Sequence, residues 1–195
     1  MILVVVTEPT LEPVTIAEAK TQCRIDIDDD DLAIGGFITA ARQQCELVSR
    51  RAFVATTFDL YLDAWPVDGM IQLPRPPLSS VTGVYYTDES GVEATFAASN
   101  YVVDAAGEPG RVALKSGASW PAATLQIVNG VRVRFVAGYG ATATAVPRRY
   151  RQAVLLLVGH WYENREAVLV AQGMTIAELP LGVTSLLMTD RGGWF

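Results

Sequence analysis

Histidine and cysteine are scarce in this sequence. The 195 residues include one histidine, His160, and two cysteines, Cys23 and Cys45. One histidine cannot supply a multi-histidine metal site and gives little basis for a Ser-His-Asp triad. The cysteines stand 22 positions apart, which excludes a CxxC motif, and we interpret them as small buried residues of a reducing compartment. His160 has two interpretations, a packed or hydrogen-bonded structural residue or an interface residue.

Long hydrophobic runs are also missing. The longest apolar stretches are Ile2–Val6 and Ala153–Gly159, whereas a membrane-spanning helix needs roughly 20 apolar residues. Met1–Thr10 lacks the basic start and the longer apolar run of a signal peptide. We therefore expect a chain without a membrane partner that folds in a cytoplasm-like setting.

Positive charge is in short supply as well. Fifteen Lys and Arg face 21 Asp and Glu, which gives a net charge of -6. A free-standing nucleic-acid binder normally carries a basic surplus. The sequence also lacks the GxxxxGK[ST] phosphate loop, and its Gly138-Tyr139-Gly140 is not continued into a dinucleotide-binding fingerprint. We predict no cofactor, no bound metal and no enzymatic activity.

The periodicity of apolar residues predicts an α+β fold. A capping box at Thr15 opens a helix, and a second amphipathic helix follows the aspartate run. Alternating residues then predict short strands, and Pro147 opens a long late helix, with a short helix from about Gly182 to Met188. We predict one domain, 1–195, built as a small helical bundle with a β-rich insertion. Its helical part covers about 15–54 and 146–167, the insertion about 57–137, and an extended C-terminal tail about 168–195.

The aspartate run is the first candidate site. Asp26, Asp28 and Asp30 match positions 1, 3 and 5 of a calcium-binding loop, but Asp31 stands where that loop needs glycine and Phe37 where it needs glutamate. Three interpretations are open: acidic residues that favour the positive end of the second helix, an intersubunit salt-bridge surface, and a divalent-ion site. The residues predicted to form the interface are Asp28, Asp29, Asp30 and Asp31.

Three arginines form the second candidate site. Arg148, Arg149 and Arg151 fall in the first turn of the late helix, where positive charge is unfavourable. They are either solvated, or they meet acidic residues of another chain or of the 26–31 run, or they contact DNA phosphate. Trp194 and Phe195 at the chain end form a third candidate, because large aromatic residues commonly anchor on a surface. That surface is either the protein's own core or a partner groove.

Five segments in order resemble the head-tail connector, or adaptor, family of tailed bacteriophages. They are TIAEAKTQCRIDIDDDD (15–31), IQLPRPPLSSVTGVYYTDESG (71–91), VRVRFVAGYG (131–140), VPRRYRQAVLLLVGHWYENREAV (146–168) and ELPLGVTSLL (178–187). Together they span about residues 13–190. Cys23 departs from the aliphatic residue expected there, and the first ten residues and the Trp194-Phe195 end lie outside the pattern.

The resemblance implies a structural virion protein that forms a ring, usually of twelve copies, beneath the portal protein. Such a ring extends the DNA channel, lets packaged DNA pass without sequence-specific binding, and offers a face to a stopper or tail-completion protein. The family's C-terminal segment reaches the portal, which adds Leu179, Pro180 and Leu186 to Trp194 and Phe195 as predicted interface residues. The expected location is the neck of the virion, with the host cytoplasm during assembly. The alternatives are another neck or tail ring protein, such as a stopper or tail terminator, and a small enzyme without a recognisable active site.

Overall fold

The predicted α+β fold is confirmed by the computed structural model, which describes residues 1–164 and 180–188. It contains four helices and eight strands within those ranges, and both sheets are antiparallel. The helices are α1 (Ile16–Cys23), α2 (Asp31–Ser49), α3 (Arg148–Glu163) and α4 (Leu181–Met188). The strands are β1 (Ile2–Thr7), β2 (Thr56–Leu62), β3 (Met70–Leu73), β4 (Leu78–Thr87), β5 (Glu93–Phe96), β6 (Tyr101–Asp104), β7 (Gly110–Leu114) and β8 (Val131–Ala137). No described helix is long and apolar enough to cross a membrane.

The chain divides into two compact units. The β unit consists of Met1–Thr10 and Arg50–Ala141, and the helical unit consists of Leu11–Ser49 and the described part of Thr142–Phe195. The first strand belongs to the β unit although the sequence pattern predicted no strand there. The chain therefore begins in the β unit, enters the helical unit, returns to the β unit and ends in the helical unit.

The β unit contains a five-stranded sheet and a three-stranded sheet. The larger sheet has the order β1-β2-β8-β4-β5, and the smaller has the order β3-β7-β6. Along β8, buried residues alternate with half-buried ones, as the sequence predicts. Phe58 lies opposite Phe135 and Leu60 opposite Val133, so one face of the large sheet forms the apolar core. The other face carries the charged side chains of the same strands.

The helical unit is organised by helix caps. Thr15 accepts a hydrogen bond from the Glu18 backbone N–H while the Glu18 carboxylate accepts one from the Thr15 N–H, which confirms the predicted capping box. Arg24 ends α1 in the left-handed conformation (φ 57°). Helix α3 packs on α1, α2 and α4. Pro147 was predicted as the first residue of α3, but it is the N-cap, and the helix begins one residue later, at Arg148.

Candidate subunit interface residues

A lysine from α1 binds two carboxylates of the aspartate run. The Lys20 ammonium donates hydrogen bonds to Asp28 and, at 2.9 Å, to Asp31 at the start of α2. The hydrogen bond from Lys20 lowers the pKa of the Asp28 carboxyl. These two carboxylates therefore hold the loop between α1 and α2 against α1, and the cation that they bind is Lys20 of the same chain.

Asp30 is bound by a residue of α3. The Tyr162 hydroxyl at the end of α3 donates a hydrogen bond to an Asp30 carboxylate oxygen at 2.5 Å. Asp29 is exposed, and no ion pair or hydrogen bond joins its side chain to any part of residues 1–164 or 180–188. The described residues contain no cluster of three or more His, Cys, Asp or Glu side chains that could hold a metal ion.

The three arginines of α3 have three different environments. Arg151 donates hydrogen bonds to the Pro13 carbonyl oxygen at 2.8 Å and to the Glu18 carboxylate. The Arg149 guanidinium lies over the Tyr150 ring, 4.7 Å from its centroid, and also bonds the Tyr150 hydroxyl at 3.2 Å. Arg148 is exposed and has no ion pair within the described ranges. Within the chain, Arg151 is therefore paired with Glu18 and not with the aspartate run.

The predicted C-terminal contacts lie only partly within the described residues. Pro180 and Leu186 are half-buried. Helix α4 packs on α3, and its Val183 and Leu187 side chains are buried. Leu179, Trp194 and Phe195 lie outside the described residues, so their predicted contacts stay predictions.

Burial and a nearby negative charge make each cysteine thiol a poor nucleophile. Burial raises the pKa of the Cys45 thiol to about 12, with the nearby Glu46 charge acting in the same direction. Burial and the Glu163 charge raise the pKa of Cys23 as well. Because the thiolate is the reactive form, neither thiol is activated at neutral pH. His160 is exposed, and its Nδ1 lies 3.5 Å from the side-chain amide of Asn164.

A charged row on the β unit was missed by sequence reasoning. Asp59 on β2 is 2% exposed and accepts hydrogen bonds from Arg134 at 2.7 and 2.8 Å, and one from Arg132 at 3.4 Å. Arg132 also donates to Glu93 at 2.8 Å and covers the Tyr85 ring, 4.1 Å from its centroid. Arg132 and Arg134 alternate with apolar residues along β8, which indicates a charged face on this strand. Their acidic partners could not be predicted, because they lie 39 to 75 positions away in the sequence.

This fold is shared with components of a particle neck. A chain of the virion of the native gene transfer agent (GTA) particle is 29% identical with a TM-score of 0.76, over 96% of this chain and 93% of that one. Chains from the neck of the empty GTA particle (C6 symmetry) and of the native GTA particle (C12 symmetry) are each 30% identical over the same shares, with TM-scores of 0.76 and 0.72. The fold and its relatives thus define a structural neck component of a phage-like virion.

The family follows from a second comparison. The model of the phage gp6-like head-tail connector proteins matches residues 13–105, and the structural likeness extends over nearly the whole chain. The chain belongs to this connector family, as its sequence segments predicted. No curated protein matches the chain.

Proposed function

We propose that this protein forms a ring of twelve copies in the neck of a phage-like particle and joins the head to the tail. The observation that carries the proposal is the 30% identity with a chain of the GTA neck that has C12 symmetry, over 96% of this chain. Each copy in a closed ring contacts its neighbours through two different faces. A chain with the same fold and nearly the same length is suited to the same arrangement.

The ring docks beneath the portal protein, extends the DNA channel and presents a face to a stopper or tail-completion protein. The C-terminal segment around Pro180 and Leu186 supplies the contact with the portal, together with Trp194 and Phe195. The net charge of -6 supports passage of DNA without binding, because affinity for phosphates rises with the number of cations presented. The protein acts in the virion and assembles in the host cytoplasm.

Among the predicted charged residues, Asp29 and Arg148 best suit contacts between copies. Both are exposed and neither forms an ion pair within the described part of the chain. Asp28, Asp31 and Arg151 are held by Lys20 and Glu18 in the same chain. A contact of Arg148 with an acidic residue of the next copy would steer assembly and fix register more than it would add affinity.

Deleting the gene from a phage or element that produces the particles tests the proposed role. We expect heads that fail to join tails or that release their DNA, and restoration by wild-type protein supplied in trans. Infectious tailed particles that retain their DNA without this chain would contradict the proposal. Native mass spectrometry of the purified protein, with and without portal, then shows whether the ring closes alone or on the portal.

A further inference from the structure

The large sheet of the β unit ends in an open apolar strand. Among the strands of residues 1–164 and 180–188, β1 pairs only with β2. No other backbone or side-chain hydrogen bond within the described ranges reaches residues 2–7. Ile2 and Val4 are 55% and 44% exposed, and Val5 and Val6 are exposed to a similar extent. One edge of β1 therefore offers both free backbone groups and exposed apolar side chains.

This strand has few of the features that normally protect a sheet edge. Edge strands are commonly shielded by lysine, proline, inward-pointing charges or bulges. Residues Ile2–Thr7 include no charged residue and no proline, and the register shifts only between Val5 and Thr7. The opposite edge of the same sheet, β5, presents Glu93 and Thr95 instead. An exposed, uncharged apolar edge of this kind favours a cover in the assembled protein.

The small sheet has a second apolar edge. In the part of the chain that the structure describes, strand β6 pairs only with β7, and its Val102 and Val103 side chains are 48% and 42% exposed. The other outer strand of that sheet, β3, buries Ile71 and Leu73 and exposes Gln72. Of the four outer strands in the β unit, β1 and β6 are thus the two that combine an open edge with two or more exposed aliphatic side chains.

We propose that β1 of one copy pairs with β6 of the next copy around the ring. This inference rests on the proposed ring, in which every copy contacts its neighbours through two unlike faces. Two different apolar strand edges on one unit meet that requirement. While β1 of one copy pairs with β6 of the next, its own β6 stays available to β1 of the copy on the other side. Strand addition supplies backbone hydrogen bonds, and the valine side chains of both strands cover one another.

Lysine substitutions test the pairing in assembled particles. We compare Val4→Lys and Val103→Lys with the control Val67→Lys, because Val67 is fully exposed in the loop between β2 and β3. Both strand variants should reduce the copies per particle neck at least tenfold, since each places a charge in the apolar contact, while the control assembles like wild type. Thermal unfolding followed by circular dichroism checks the fold, and Ile2→Lys replaces Val4→Lys if the latter unfolds.

A chemical cross-link tests the pairing of β1 with β6 without disrupting it. A chain with Val4→Cys and Val103→Cys in a Cys23→Ser background, treated in assembled necks with a bifunctional thiol reagent, should give a ladder of covalent multimers. Each single-cysteine chain should give no more than dimers. Full assembly of Val4→Lys or of Val103→Lys, or absence of the ladder, would overturn the pairing. Absence of the wild-type chain from necks would instead overturn the proposed function.

Discussion

At the scale of single residues, Asp59 is a buried carboxylate held by two arginines. Burial opposes its ionisation, but the hydrogen bonds from Arg134 and the charge of Arg132 outweigh burial, and the pKa of this carboxyl falls below its ordinary value of 3.8. A carboxyl with a depressed pKa stabilises the folded state above its unfolded pKa. That stabilisation disappears as the pH falls through the lower, folded-state pKa.

Asp59→Asn is therefore expected to destabilise the protein by about 1–3 kcal/mol at pH 7, because it removes charge-assisted hydrogen bonds from a buried site. The difference from wild type should shrink below about pH 4 as the wild-type carboxyl becomes protonated. Urea unfolding between pH 7 and pH 3 measures this difference in the free energy of unfolding. Asp29→Asn, at an exposed carboxylate without a partner in the described ranges, is the control and should change little. A difference that stays constant down to pH 3 would contradict this account.

Gly138 is constrained by its backbone. Its φ is 129°, and a Cβ atom there would lie 2.6 Å from the carbonyl carbon and oxygen of Val54. Gly138→Ala should cost about 1–3 kcal/mol, because residues held in such conformations are strained even before the clash is counted. The loss is measured by thermal unfolding. Gly91→Ala, also at positive φ but with no atom within 4 Å, isolates the conformational part of the cost and should be milder.

At the scale of secondary structure, α1 and α3 are joined by a salt bridge. Arg151 on α3 reaches Glu18 on α1 and the Pro13 carbonyl just before it. The Thr15 backbone N–H is the larger cause of the lowered pKa of Glu18, and Arg151 adds to it. The capping box and the contact between the two helices therefore share one carboxylate.

Arg151→Ala should lower the stability of the fold, whereas Arg148→Glu should lower the assembly of copies. Arg151→Ala removes the bonds to Glu18 and Pro13 and should destabilise the fold by about 1–2 kcal/mol. Arg148→Glu places a negative charge at the start of α3 and should leave stability unchanged or raise it by about 0.3–1 kcal/mol. We nevertheless expect Arg148→Glu to lower the number of assembled copies. Melting curves and native mass spectrometry measure the two effects, and normal assembly of Arg148→Glu would refute the interface role of Arg148.

Local patterns predicted most elements but not their partners. Alternation predicted β2 and β8, and short apolar runs beside turn residues predicted strands between them. The capping box and amphipathic stripes predicted the helices, because all these signals depend on near neighbours. Ile2–Val6 is apolar without alternation, so its strand becomes evident only through pairing with β2. Similarly, the sequence could not show that Glu18 rather than the aspartate run would bind Arg151, or that Asp59 would lie opposite Arg134, because both pairs join distant positions.

At the scale of the whole molecule, the residues proposed for contacts lie in both compact units. The helical unit contains all the charged residues predicted to form interfaces, and the β unit contains the two apolar strand edges. The described thiols are not activated, and the connector family and the GTA neck chains are structural components. The charge balance and the fold thus suit a protein that acts through contacts with copies and partners.

Removing residues 191–195 tests the C-terminal contact at this scale. If Trp194 and Phe195 anchor on the portal, the truncated chain should unfold at the wild-type temperature but bind purified portal at least tenfold more weakly. Calorimetric melting and a portal binding titration give the two values separately. A lower melting temperature with unchanged portal affinity would mean that these aromatic residues pack on the protein's own core.

The central claim is that copies of this chain close into a ring between head and tail. Cryo-electron microscopy of the neck of purified particles, reconstructed without imposed symmetry, tests it most directly. We predict twelve equivalent copies around the DNA axis, each fitted by the two β sheets and the four helices described above. A neck into which this fold does not fit, although the particles are tailed and filled with DNA, would contradict the account.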